Sequence, residues 1–134
     1  MSEENVALVK RVIAAHERGD FEAVFAAYDP EIEWHGGTLD MAAGFEPAYY
    51  GHDGVRKFWR TWFEAWETVS FDYEEFHDAG DVVVTILSQR VRGRTTGIEF
   101  DWNSYGQNWT IRNGKIVRVE FYAERREALE AAGL

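Results

Sequence analysis

Apolar positions recur at helical spacing through the first half of the chain and fall into β runs through the second. Val6, Val9, Ile13 and His16, with Val12 beside them, predict a first helix, for which Ser2-Glu3-Glu4-Asn5 supplies an N-cap and early acids. Gly19 ends it. Asp20 caps a short second helix whose face carries Phe21, Val24, Phe25 and Tyr28; Pro30 closes that helix before a short strand over Glu31–His35. Gly36–Ala48 is irregular, and a loop of that length is a lid or binding loop, or else mobile. Gly51-His52-Asp53-Gly54 opens a third helix. Its stripe of Val55, Phe58, Trp59, Trp62 and Trp66, with Phe63 at the edge, is the strongest amphipathic signal in the chain.

Beyond it, Ser70–His77 alternates roughly and Ala79-Gly80-Asp81 makes a turn. Val82–Arg92 and Ile98–Arg112 are long β runs joined across Gly93–Gly97. Asn113-Gly114 is a two-residue hairpin turn into Lys115–Ala123, and Glu124–Ala132 forms a terminal helix ended by Gly133. Helices followed by a strand meander predict an α+β fold, with residues 1–134 forming one domain. Strict alternation from an Arg112–Lys115 pair puts Asn108 opposite Val119 and Gly106 opposite Phe121. Phe100, Trp102, Ser104, Gly106 and Asn108 then meet the helices, while Tyr105, Trp109 and Tyr122 lie on the outer face and suggest a homodimer interface. A bulge in the strand over 98–112 would shift this assignment.

Composition narrows the function classes. Aromatic residues make up 16% of the chain, including six Trp, enough for a stable core and for the walls of a ligand pocket. The absence of Cys excludes disulfides, thiolate catalysis and thiolate-bound zinc. A net charge of −10 disfavours nucleic acids and anionic membranes as partners. The N-terminus lacks a signal-peptide pattern and no run of about 18 apolar residues occurs, so a cytoplasmic location is expected. Four scattered histidines have no metal-binding spacing, and His52 and Asp53 read as helix-start residues.

Several strings, in order, carry a resemblance: Arg18-Gly19-Asp20-Phe21, Tyr28-Asp29-Pro30-Glu31-Ile32-Glu33-Trp34, Tyr50-Gly51-His52-Asp53-Gly54-Val55, Asn108-Trp109-Thr110-Ile111-Arg112-Asn113-Gly114-Lys115-Ile116 and Glu124-Arg125-Arg126-Glu127-Ala128-Leu129. They resemble the SnoaL-like (ketosteroid-isomerase-like) branch of the nuclear transport factor two-like superfamily. The resemblance implies a curved, mixed, mostly antiparallel sheet wrapped around helices to form a conical pocket, in a cystatin-like α+β barrel, usually without metal or organic cofactor. It covers isomerases, polyketide cyclases, epoxide hydrolases and noncatalytic binders, so it implies the pocket and leaves the chemistry open.

Placed on this sequence, the isomerase base position falls at His35, its tyrosine near Val12 and its acidic donor near Gly106 or Gln107, so the dienolate site is not reproduced. The Asp-Arg-Asp set of the epoxide hydrolases falls on Ser88, Arg90 and Phe121, which cannot repeat it. The proton-carrying acid of the cyclases falls on Asp101, which alternation points away from the pocket unless a bulge intervenes.

His35 is therefore the candidate base, against the alternative of a solvated strand-end histidine, and Arg90 the candidate polarising group, against a solvated strand-end arginine. His16 closes the first helix's stripe as a ligand partner or a satisfied core histidine, and Asn108 needs a partner for its amide wherever it is buried. Tyr28, Trp34, Trp59, Trp62, Trp66, Trp102, Phe121 and Ser88 complete the candidate ligand walls. The expected function is binding of a small, largely apolar molecule, a cyclic one included, with cofactor-free isomerisation or cyclisation as the enzymatic form. The alternatives are a noncatalytic small-molecule binder and a dimeric assembly module.

Overall fold

The computed structural model describes residues 2–36 and 46–134; the side chain of Ser2, expected as an N-cap, and most of the loop expected to be a lid fall outside them. The elements are α1 (Ser2–Glu17), α2 (Phe21–Ala27), β1 (Tyr28–His35), β2 (Ala48–Tyr50), α3 (Gly51–Ala65), β3 (Trp66–Ala79), β4 (Val82–Gly93), β5 (Glu99–Arg112), β6 (Lys115–Tyr122) and α4 (Arg125–Ala131). The strands form one sheet in the order β2-β1-β6-β5-β4-β3. All neighbours are antiparallel except β1 and β6. The fold is α+β: four helices with a six-stranded, mixed, mostly antiparallel curved sheet that does not close.

The starts of α2 and α4 follow the capping rules, whereas α3 follows Tyr50 with no side-chain cap. The Asp20 carboxylate accepts from Ala23 N at 3.2 Å, and Glu124 and Glu127 form a reciprocal capping box on α4. Asn113 and Gly114 both take positive φ, as the expected tight hairpin turn requires. β1 begins at Tyr28, earlier than expected, so Pro30 sits inside a strand. It lies in an irregular stretch between the Tyr28–Ile116 and Glu33–Arg118 pairs, where the ladder does not need its missing N–H. Trp66 belongs to β3, so the α3 stripe ends at Phe63.

Strand faces depart from simple alternation. Glu74 is an extra residue in β3 between the Tyr73–Leu87 and Glu75–Ile86 pairs. β5 carries one extra residue around Asn103-Ser104, where Ser104 has φ 51°, and β6 carries one at Val117. Two of these bulges flank Ser88, which joins them: its hydroxyl donates to Glu74 at 3.2 Å and accepts from Ser104 N at 3.0 Å. Bulges in register bend a sheet along one line, here across β3, β4 and β5.

The reversals correct the expected faces. Tyr105, Gln107, Trp109 and Ile111 point into the concave side, and Asn108 pairs with Glu120 instead of Val119. Tyr105 and Trp109 are 1% and 3% exposed, so the outer aromatic face expected to make a dimer does not exist. α4 instead covers the convex side, packing Ala128 on Val84 and Ile86. The Val82–Leu87 half of β4 is consequently buried on both faces, which explains its largely apolar run. The main core lies between the concave face and α1, α2 and α3.

Candidate functional site

The helical register of α1 turns Val12 and His16 toward the sheet, and that of α3 turns Phe58, Trp59 and Trp62 to meet them. Strands β3 to β6 supply Phe71, Tyr73, Gln89, Tyr105, Gln107, Trp109 and Phe121 from below. Two small hollows remain between these layers. One, of about 30 Å³, is lined by His16, Tyr28, Trp34, Trp59, Tyr73 and Gln107 among others, with Glu17 at its rim. The other, of about 10 Å³, lies between Phe58, Trp62, Gln89, Tyr105 and Phe121. Trp59, Phe71 and Gln107 wall both.

The polar atoms of this interior fall into two sets. Most are paired. Trp109 Nε1 donates to Thr85 Oγ1 (3.0 Å), which donates to Gln107 Oε1 (2.9 Å), and Tyr73 also hydrogen-bonds Gln107. Trp62 Nε1 donates to Gln89 Oε1 (2.9 Å), and Gln89 Nε2 donates to the Tyr105 hydroxyl (3.0 Å). These bonds lock both glutamine amides in one orientation. By contrast, His16 Nε2, Trp34 Nε1 and Trp59 Nε1 are buried with no hydrogen-bond partner among the described residues.

Burial sets the protonation states. It pulls the His16 imidazole down to about 4, leaving it neutral at pH 7. Burial first, and the neighbouring Tyr73 second, hold the Tyr28 and Tyr105 hydroxyls protonated, and burial likewise pushes Tyr73 up. The His16 ring sits among Phe21, Trp59, Phe63 and Phe71, with centroids 4.6–6.3 Å away. Apart from Glu17 at the rim, the walls are thus largely aromatic, with an imidazole and two indoles offering unpartnered polar atoms.

Of the residues singled out from the sequence, His16, Tyr28, Trp34, Trp59, Trp62 and Phe121 meet in this interior. Trp66 and Trp102 pack beyond it against Trp62, edge-on at 5.7 Å and tilted at 5.6 Å. The remaining four lie outside. His35 follows the inward-facing Trp34 and so turns to the convex side, where Nε2 is 3.0 Å from Glu33 Oε1. Arg90 is 64% exposed and grips Asp101 at 2.8 Å. Because Asp101 precedes the β5 bulge, the reversal there does not bring it inside. Ser88 belongs to the bend line, and Asn108 lies beneath α4, donating to Ala128 O at 3.0 Å.

Sequence reasoning missed Tyr73, Gln89, Tyr105 and Gln107. The usable signal was chemical: a glutamine within a long strand needs a polar partner if buried, and both glutamines have one.

The profile of the SnoaL-like domain matches residues 9–119. No curated protein matches the chain. Among solved structures, an NTF2-like protein from Burkholderia thailandensis shares 29% identity over 96% of each chain, with a TM-score of 0.78. An NTF2-like protein of unknown function from Burkholderia pseudomallei shares 24% over 100% of each, with a TM-score of 0.81. TerC, co-crystallised with polyporic acid, shares 21% over 98% of this chain and 99% of its own, with a TM-score of 0.78. With four-fifths of its length matched by the profile, and with its open curved sheet roofed by helices, this chain belongs to the SnoaL-like domain family.

Proposed function

We propose that the chain binds a small molecule whose uncharged, largely apolar body sits between α1, α3 and the concave sheet. The observation that carries this reading is the trio of unpartnered atoms, His16 Nε2, Trp34 Nε1 and Trp59 Nε1, on residues that wall one hollow. A buried polar atom left unmade costs about 1–3 kcal/mol, so three around one space favour an occupant with polar atoms of its own. A hollow of about 30 Å³ holds a water or two and no organic ligand, so binding must spread the aromatic walls. Trp59 and Phe71 are the walls to move, being half-buried and common to both hollows.

If the bound molecule is turned over, His16 is the group suited to carry a proton, because it is the one nitrogen base in the wall and is neutral at pH 7. A thermal-shift screen over steroids, terpenoids, aromatic polyketides and small carboxylic acids tests the binding reading. A ligand at about 100 times its Kd should raise stability by roughly 2.7 kcal/mol, several degrees in Tm. His16→Leu, which keeps bulk and removes the free nitrogen, should weaken a hit by roughly tenfold. Silence across all four classes, or a hit indifferent to His16→Leu, would overturn the site. His16→Gln then separates enzyme from binder: retained binding with lost turnover marks the proton carrier, and no turnover by the wild-type protein marks a binder.

A further inference from the structure

The indole of Trp59 also walls a third hollow, on the outside of the molecule. This groove, of about 430 Å³, runs between α2 and α3 over Phe21, Phe25 and Phe63. Its size falls in the range of small-molecule sites. Phe21 is 42% exposed and lies 5.2 Å from the His16 ring, so the groove and the interior share two walls, Trp59 and His16's aromatic surround. The rim is cationic on one side. Arg56 stands over the Phe25 ring at 4.4 Å with only a 3.3 Å contact to the fully exposed Asp53, and Arg60 has no ion pair or hydrogen bond among the described residues. Glu22 is the single acid in the groove wall. On a chain of net charge −10, two arginines over an aromatic floor are a local exception to the acidic surface.

We propose that this groove is the anion-binding part of the same site, and that the ligand is an amphipathic carboxylate. Its charged group rests on Arg60 and Arg56, and its apolar body passes Trp59 toward His16. This rests on the interior-binding reading and adds the ligand's charge to it. The arginines are solvated, so each contributes the modest attraction of a surface ion pair, enough together for a preference of roughly tenfold at low salt.

Calorimetric titration of the full chain with 1-naphthoate and with its neutral counterpart 1-naphthalenemethanol is the test. The expected result is tighter binding of the acid, a preference that shrinks with added salt, falls partway in Arg60→Gln and approaches one in Arg56→Gln/Arg60→Gln. Both substitutions are at exposed positions, and an unchanged thermal midpoint verifies the fold. Equal affinity for the two probes in wild type overturns this inference alone and leaves the interior reading standing. Failure of both probes to bind overturns both. A wild-type dimer that Phe21→Arg dissociates would assign the groove to a second copy of the chain and overturn the carboxylate.

Discussion

At the scale of single residues, His16 sets an expectation that stability measurements can meet. Its folded pKa, about 4, lies below the unfolded 6.5, so between these values the unfolded chain binds a proton that the folded chain does not. Stability is therefore full above pH 6.5, falls as pH drops toward 4, and loses nothing further from this group below 4. Between pH 7.5 and 5 the loss attributable to His16 is on the order of 2 kcal/mol at most, since the ring keeps some solvent contact. Urea midpoints at the two pH values should separate in wild type and draw together in His16→Leu, once the shared carboxylate contribution cancels between them. An unchanged separation would mean that the imidazole takes up its proton without penalty, contrary to its aromatic surround.

At the scale of elements, α4 depends on a glycine. Gly106 faces the helix, and a methyl group there would collide with Ala128 Cβ. Gly106→Ala should therefore lift α4 from β5 and cost about 1–3 kcal/mol in denaturant midpoint, with little effect on ligand binding across the sheet. The helix is also clamped by Arg125, which donates to both oxygens of Glu75 at 2.8–3.1 Å. Those bonds, with one from His77, hold the Glu75 carboxyl down to about 2. A depressed carboxylate stabilises fully above its unfolded value and loses that contribution as pH falls from about 4.5 toward 2. Glu75→Gln should flatten that part of an acid titration followed by circular dichroism, and an unaltered profile would mean the clamp is open in solution.

The helices were legible in the sequence because a stripe such as Val55, Phe58, Trp59 and Trp62 stays recognisable when a boundary moves by a residue or two. Strand faces were not, because one inserted residue inverts everything beyond it. Nothing in the local composition marks Glu74, Ser104 or Val117 as bulges, and Val82–Leu87 of β4, buried on both faces, offers no alternation from which to recover the phase. The candidate site divided along the same line. Its helical members His16, Trp59 and Trp62 were readable, as were Trp34 and Phe121; its sheet members Gln107 and Tyr105 were assigned to the opposite face.

At the scale of the whole molecule, the two small interior hollows and the outer groove have one wall in common, the indole of Trp59. A ligand that needs both the interior and the groove must displace that ring, so the ring's motion, not diffusion, limits association. Trp59→Ala should then speed binding of 1-naphthalenemethanol in stopped-flow measurements and speed its release as well. The change also removes packing against His16, Trp34, Phe58 and Phe63. Because Trp59 is only half-buried, the cost should be about 2 kcal/mol, below the ~3–5 kcal/mol of a fully buried tryptophan. Faster association in a less stable protein is the combination expected of a gate. An association rate that stays at the wild-type value would mean that ligands reach the interior by another path, and Trp59 would then be a wall alone.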